Sequence, residues 1–124
     1  MNTTEDMHVQ IVERLSAAQA AGGVGSFSID ITNDLVTATP EFSRLYGLDH
    51  LAVRPATDFE AVVLADDEPV VSHAATRRQG NAATEVEYRI RRQDSGEVRW
   101  IARKGEFERD ASGNPIRFIG IAAM

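Results

Sequence analysis

The residues that could do chemistry in this sequence are few and scattered. It contains three histidines, His8, His50 and His73, one aspartate pair, Asp66-Asp67, and no cysteine. Without cysteine there can be no disulfide, thiolate metal site, iron–sulfur cluster or thiol nucleophile. Neighbouring helix residues project about 100° apart, so the aspartates indicate carboxylates at a helix start rather than a catalytic dyad. We expect no catalytic residues and no metal site.

His73 is the histidine that falls in a middle segment able to face a pocket. A neutral imidazole is a good iron ligand. A single histidine is more often a structural residue held by hydrogen bonds, so haem is not expected.

The bulk properties describe one acidic domain. The chain has 124 residues, a formal net charge of -6 and a pI near 5.0, which fits a single core and disfavours nucleic acid as a partner. The basic residues of the second half alternate with acidic ones, which predicts a solvated strand face. The residues concerned are the local group Arg89, Arg91, Arg92, Arg99, Arg103 and Lys104.

No apolar run approaches the roughly 20 residues needed to cross a bilayer. The first ten residues, MNTTEDMHVQ, are polar and acidic where a secretory signal would be basic and then apolar. We therefore expect a cytoplasmic location and no membrane contact within this chain.

The first half of the chain predicts a helix, a hairpin and several short helices. Residues 1–21 have one apolar helical stripe, formed by Met7, Ile11, Leu15 and Ala18. Residues 25–39 alternate like a strand hairpin, and Pro40 suits the first turn of a helix. Between residues 49 and 81, two helical stretches are expected: one from a Thr57–Glu60 capping box, the other capped by Asp66 or Asp67.

Three strands are predicted after this helical segment, over residues 84–92, 98–109 and 116–124, separated by Asp/Gly turns. The chain therefore predicts an α+β fold with a five-stranded antiparallel sheet, short helices on one face and an N-terminal amphipathic helix. In the last strand both faces are apolar. Such a strand is normally covered on both sides, and the second cover would be the leading helix or a second subunit.

Three segments, in this order, resemble the PAS family over residues 22–124, in the bacterial variety with an Arg-Trp-Ile hairpin strand. They are GVGSFSIDI at 23–31, TPEFSRLYGL at 39–48 and EYRIRRQDSGEVRWIARKGEFERDASGNPIRFIGI at 87–121. Two features depart from the family pattern. Phe27 and Ile29 stand close to where tryptophans are usual, and VLADDE at 63–68 lacks the usual histidine.

The resemblance implies a domain that binds a small ligand between sheet and helices, or that acts as a dimerisation and relay module. It implies a downstream output domain, such as a histidine kinase or a cyclic-dinucleotide enzyme, and hence that the chain is part of a longer receptor. The cofactor is unknown, but a light-oxygen-voltage photocycle is excluded because it requires a cysteine.

Two sets of site residues follow. The expected pocket lining is Phe42, Tyr46, Phe59, Val63, Val70, His73, Tyr88 and Ile90. The expected homodimer interface is Met7, Ile11, Leu15, Ala18, Trp100, Ile119 and Ile121. Trp100 could serve either the pocket or the interface.

The main functional prediction is a signal-sensing and dimerising input domain, without catalysis of its own. The alternative is a small cone-shaped α+β isomerase or dehydratase, which would use an acid and a tyrosine or histidine in an apolar pocket. Its candidate residues are Asp58, Tyr88 and His73.

Overall fold

The computed structural model describes residues 22–124. The elements, in chain order, are β1 (Gly25–Asp30), β2 (Leu35–Ala38), α1 (Pro40–Leu45), β3 (Val53–Pro55), α2 (Ala56–Glu60), a 3-10 helix (Ala65–Val70), α3 (Ala74–Arg78), β4 (Glu85–Arg91), β5 (Val98–Arg109) and β6 (Pro115–Ala123). The leading helix predicted over residues 1–21 lies outside the described residues.

The strands form one antiparallel sheet in the order β3-β2-β1-β6-β5-β4. The α+β fold is confirmed, with six strands where five were expected. The additional strand, β3, pairs three residues with the edge of β2. It is too short to show alternation, and it ends in Pro55, which a sheet edge tolerates because no N–H is required there.

The middle helices are shorter than the sequence predicts, and their starts differ. Helix α2 follows Pro55 directly and has no side-chain cap, so the Thr57–Glu60 capping box is wrong; Glu60 binds Arg77 instead. The 3-10 helix follows Leu64, also without a side-chain cap. The Asp66 or Asp67 cap is therefore wrong as well, since Asp67 bonds to the next strand.

Asp67 fastens the 3-10 helix to β4. Its Oδ2 accepts hydrogen bonds from the backbone N–H of Arg89 (2.6 Å) and from the Arg89 Nε (2.9 Å), and its Oδ1 accepts one from Arg89 Nη2 (2.8 Å). These bonds lower the pKa of Asp67. They hold the helical segment against one edge of the sheet.

The core lies between the inner sheet face and the short helices, and aromatic rings fill its centre. Phe42 of α1 lies 5.0 Å from Phe27 of β1 and 5.1 Å from Phe59 of α2, measured between ring centroids. Gly25 allows this approach, because a Cβ there would lie 2.4 Å from the Phe42 backbone. The aromatic cluster thus joins both helices to the sheet.

Candidate functional site: a cavity with two buried arginines

A cavity of about 50 Å³ lies between the inner sheet face and the helical layer. Its apolar walls are Phe27, Ile29, Val36, Phe42, Ala56, Phe59, Val63, Val71 and Phe118. Its polar lining is Tyr46, Glu60, Ser72, Arg77, Tyr88 and Arg103. The cavity is therefore mostly apolar, with a few polar groups in its wall, as is typical of small-molecule sites.

The two tyrosines form a buried polar pair. Tyr46 follows α1, and Tyr88 projects from the inner face of β4; their hydroxyl oxygens lie 2.5 Å apart. Burial is the largest cause that raises the pKa of both tyrosines. Both hydroxyls therefore stay protonated at neutral pH.

Arg103 reaches the cavity from the inner face of β5 and is only 6% exposed. Its Nη2 donates to the Ala83 carbonyl at 3.1 Å, and its guanidinium lies 4.8 Å from the centroid of the Phe118 ring. Its Nη1 is buried without a hydrogen-bond partner. Burial lowers the pKa of Arg103.

Arg77 of α3 is 2% exposed and has several partners. Its Nη2 donates to Asp34 Oδ1 at 2.7 Å and to Glu60 Oε1 at 3.1 Å. Its Nη1 donates to the carbonyl and hydroxyl oxygens of Ser72. Arg77 therefore links α3 to α2 and to the β1–β2 turn.

Five of the eight residues predicted for the pocket line this cavity: Phe42, Tyr46, Phe59, Val63 and Tyr88. Ile90 is fully buried in the adjoining core. Val70 is 48% exposed, and the His73 side chain is 46% exposed. The segment expected to be one long helix forms a short 3-10 helix ending at Val70 and then α3, which begins after His73. Ligand binding itself stays a prediction.

Among the polar lining residues, sequence reasoning missed the two arginines, Glu60 and Ser72. For Arg103 the expectation of a solvated strand face was wrong, because alternation along β5 places it on the buried side with Ile101 and Gly105. That periodicity was a usable signal. For Arg77 no such signal exists, because its neighbour Arg78 is chemically identical and exposed.

The three residues of the enzyme alternative have separate partners. Asp58 pairs with Arg54 at 3.0 Å, His73 lies 3.8 Å from Glu60, and Tyr88 bonds to Tyr46. Of the three, only Tyr88 lines the cavity. The fold does not assemble them into an acid–base set.

Within residues 22–124, no group of three or more histidine, aspartate or glutamate side chains is placed to hold a metal ion. Over the same range, no helix has the length and apolar character to cross a membrane.

The outer face of the sheet holds those residues predicted for a dimer interface that lie within residues 22–124. Trp100 is 50% exposed and Ile119 is 42% exposed, while Ile121 is partly buried. The Arg89 guanidinium lies 5.4 Å from the Trp100 ring centroid. Trp100 therefore lies on the side opposite the cavity. Met7, Ile11, Leu15 and Ala18 lie outside the described residues.

An antiparallel sheet with its first and last strands adjacent at the centre, and a cavity under short helices, defines a class of small α+β domain. A sequence model of the PAS fold matches residues 35–122. The chain belongs to the PAS family, as its sequence motifs predicted. No curated protein matches it in sequence.

Solved structures share this fold at low sequence identity. A sensory box histidine kinase/response regulator from Burkholderia thailandensis has a TM-score of 0.67 and 21% identity, covering 88% of this chain and 82% of that one. The N-terminal domain of a diguanylate cyclase with PAS/PAC sensor from Marinobacter aquaeolei has a TM-score of 0.68 and 20% identity, covering 80% and 92%.

The blue-light photoreceptor Aureochrome1 LOV is a third structural neighbour. Its TM-score is 0.61 at 19% identity, covering 80% of this chain and 79% of that one. The present chain has no cysteine, so it shares that fold without the residue that a cysteine-dependent photocycle requires.

Proposed function

We propose that the chain is the sensory input domain of a larger signalling protein, a histidine kinase or a related enzyme, and that it works as a homodimer in the cytoplasm. In this proposal, a small ligand in the cavity shifts the populations of sheet arrangements. The change passes through the dimer to a downstream output domain.

The observation that carries the proposal is that strands β5 and β6 line the cavity with one face and present exposed apolar side chains on the other. Arg103 and Phe118 face the cavity, whereas Trp100 and Ile119 present apolar surface on the other face. A change in the cavity therefore acts on the same strands that hold the candidate interface. Exposed apolar side chains grouped on one face often mark an interaction surface.

The neighbouring outer-face residues extend this surface. Ile119 and Ile121 pair with Glu106 and Lys104 of β5, so the two isoleucines lie beside charged side chains rather than in a wholly apolar patch. A polar rim around an apolar centre is the usual anatomy of a protein interface. This supports association of two copies through the outer face, together with the stripe formed by Met7, Ile11, Leu15 and Ala18.

Sedimentation of the 124-residue chain tests the dimer. We expect the wild type to sediment as a dimer of the 13.6 kDa chain at micromolar concentration, and Trp100→Glu and Ile119→Glu to sediment as monomers, because each buries a charge in the interface. Val70→Glu is the matched control, since Val70 is 48% exposed on the helical side. A monomeric wild type, or equal disruption by Val70→Glu, would refute the interface.

A further inference from the structure

The Arg103 guanidinium is a buried cation with an unused donor. Its Nη1 has no hydrogen-bond partner, its Nη2 bonds only to the neutral Ala83 carbonyl, and the residue lines the cavity. A buried charge is costly unless it is paired. The site is therefore incomplete as an ionic arrangement.

The other charged groups of the cavity leave Arg103 uncompensated. The carboxylates of Glu60 and Asp34 both bind Arg77 at 3.1 Å or less. Of the titratable groups that act on Arg103, Tyr88 and Tyr46 are neutral while protonated, and Arg77 carries a like charge that repels it. An additional negative charge beside Nη1 would complete the site.

The tyrosine pair supplies a second donor to the same space. Two hydroxyls share one hydrogen bond between Tyr46 and Tyr88. In such a pair, one O–H donates to the other oxygen, and the second O–H remains available. Both tyrosines line the cavity and lie within the electrostatic reach of Arg103.

We propose that this cavity binds a small monocarboxylate. The ligand's carboxylate accepts hydrogen bonds from Arg103 Nη1 and from the free tyrosine hydroxyl, and any carbon chain of the ligand lies against the aromatic wall. The inference rests on the proposed function, because it names the ligand class for the same cavity. A volume of about 50 Å³ is one third of a cavity that holds benzene, about 150 Å³. It therefore suits an anion of the size of formate or acetate.

The test is thermal unfolding and titration calorimetry of the 124-residue chain with sodium acetate, at constant ionic strength held by sodium gluconate. Gluconate has the same charge and is too large for the cavity. For the wild type we expect a saturable rise in Tm of about 3 °C or more at tenfold excess over Kd. Arg103→Met should lose at least tenfold in affinity, because a charge-assisted hydrogen bond is removed.

Arg99→Met is the matched control, because Arg99 lies on the same strand, is exposed and pairs only with Glu97 at the surface. It should bind acetate like the wild type. Arg103→Lys keeps the charge and should bind more tightly than Arg103→Met. The double variant Tyr46→Phe/Tyr88→Phe removes both hydroxyls and should weaken binding as well, and it serves as the second variant if Arg103→Met does not fold.

The proposal is overturned if acetate and formate give no saturable shift in the wild type, or if gluconate or Arg103→Met gives the same shift. A chain that dimerises through its outer face but ignores acetate would refute the anion site and leave the proposed sensory dimer standing. A monomeric chain that binds acetate through Arg103 would do the reverse.

Discussion

Two buried arginines line the same cavity, and their surroundings differ. Arg77 is 2% exposed and binds two carboxylates and Ser72, whereas Arg103 is 6% exposed and binds one carbonyl and the face of an aromatic ring. The first arrangement resembles a structural cross-link. Each guanidinium has one buried N–H without a hydrogen-bond partner, Nε in Arg77 and Nη1 in Arg103. Of the two arginines, only Arg103 has no carboxylate partner, which is the feature expected of a group that meets an anion.

The same substitution, arginine to methionine, should affect the free energy of unfolding differently at the two positions. Arg77→Met should lower the free energy of unfolding by about 2–4 kcal/mol, because it leaves two partly buried carboxylates without their partner. Arg103→Met should be neutral or stabilising in buffer without small carboxylates, since it removes an unpaired buried charge and preserves apolar volume. Urea unfolding of both variants at pH 7 measures the difference.

Equal destabilisation by the two methionine variants would contradict the comparison, because Arg103 would then have to be a structural cross-link like Arg77. Arg78→Met is a control for the loss of one arginine from α3, since Arg78 is exposed. The free energy of unfolding of Arg78→Met should lie within about 0.5 kcal/mol of the wild-type value.

The tyrosine pair near Arg103 can be tested in the same way. Tyr88→Phe leaves the buried Tyr46 hydroxyl without its partner, and we expect a loss of about 1–2 kcal/mol in urea unfolding at pH 7. The double variant Tyr46→Phe/Tyr88→Phe removes both hydroxyls and should cost less than the sum of the two single changes. Strictly additive losses would show that the two hydroxyls are not coupled.

The parts of the fold that the sequence predicts are those with a regular apolar periodicity. Strands β1, β4, β5 and β6 follow from apolar alternation, and the aromatic lining at Phe42 and Tyr46 follows from helical spacing. Strand β3 could not be predicted because three residues show no period. The Thr57–Glu60 capping box and the cap by Asp66 or Asp67 were wrong because a carboxylate that fits a cap also fits a tertiary hydrogen bond. Glu60 binds Arg77 and Asp67 binds Arg89, and the sequence does not say which partner is closer.

The arginines show the same limit at the candidate site. Alternation places Arg103 with Ile101 and Gly105, so its burial could have been predicted, but a run of alternating charges favours a solvated face. Arg77 and Arg78 are identical in type and adjacent. Only the packing of α3 against Asp34 and Glu60 decides which of them is buried.

The ion pair between Asp67 and Arg89 is more exposed than the ion pairs of Arg77. Its effect on stability should be the smallest of those compared and the most sensitive to pH. The hydrogen bonds from Arg89 lower the pKa of Asp67. Its carboxylate therefore adds stability above the ordinary aspartate pKa of about 3.9, and this contribution is lost as the pH falls through the lowered folded-state value. Asp67→Asn should thus lower the urea midpoint at pH 7, and the gap from the wild type should begin to narrow below about pH 4 and close as the pH falls through the lowered folded-state pKa of Asp67.

Asp66→Asn is the matched control for that measurement, because Asp66 is exposed and acts on Arg89 through charge. Other carboxylates with lowered pKa, among them Asp94, Glu108 and Asp110, titrate in the wild type and the variants alike, so the difference isolates Asp67. A gap between wild type and Asp67→Asn that stays constant from pH 7 to pH 3 would mean that Asp67 stabilises the 3-10 helix through hydrogen-bond geometry. Charge would then play no part in holding the helical layer against β4.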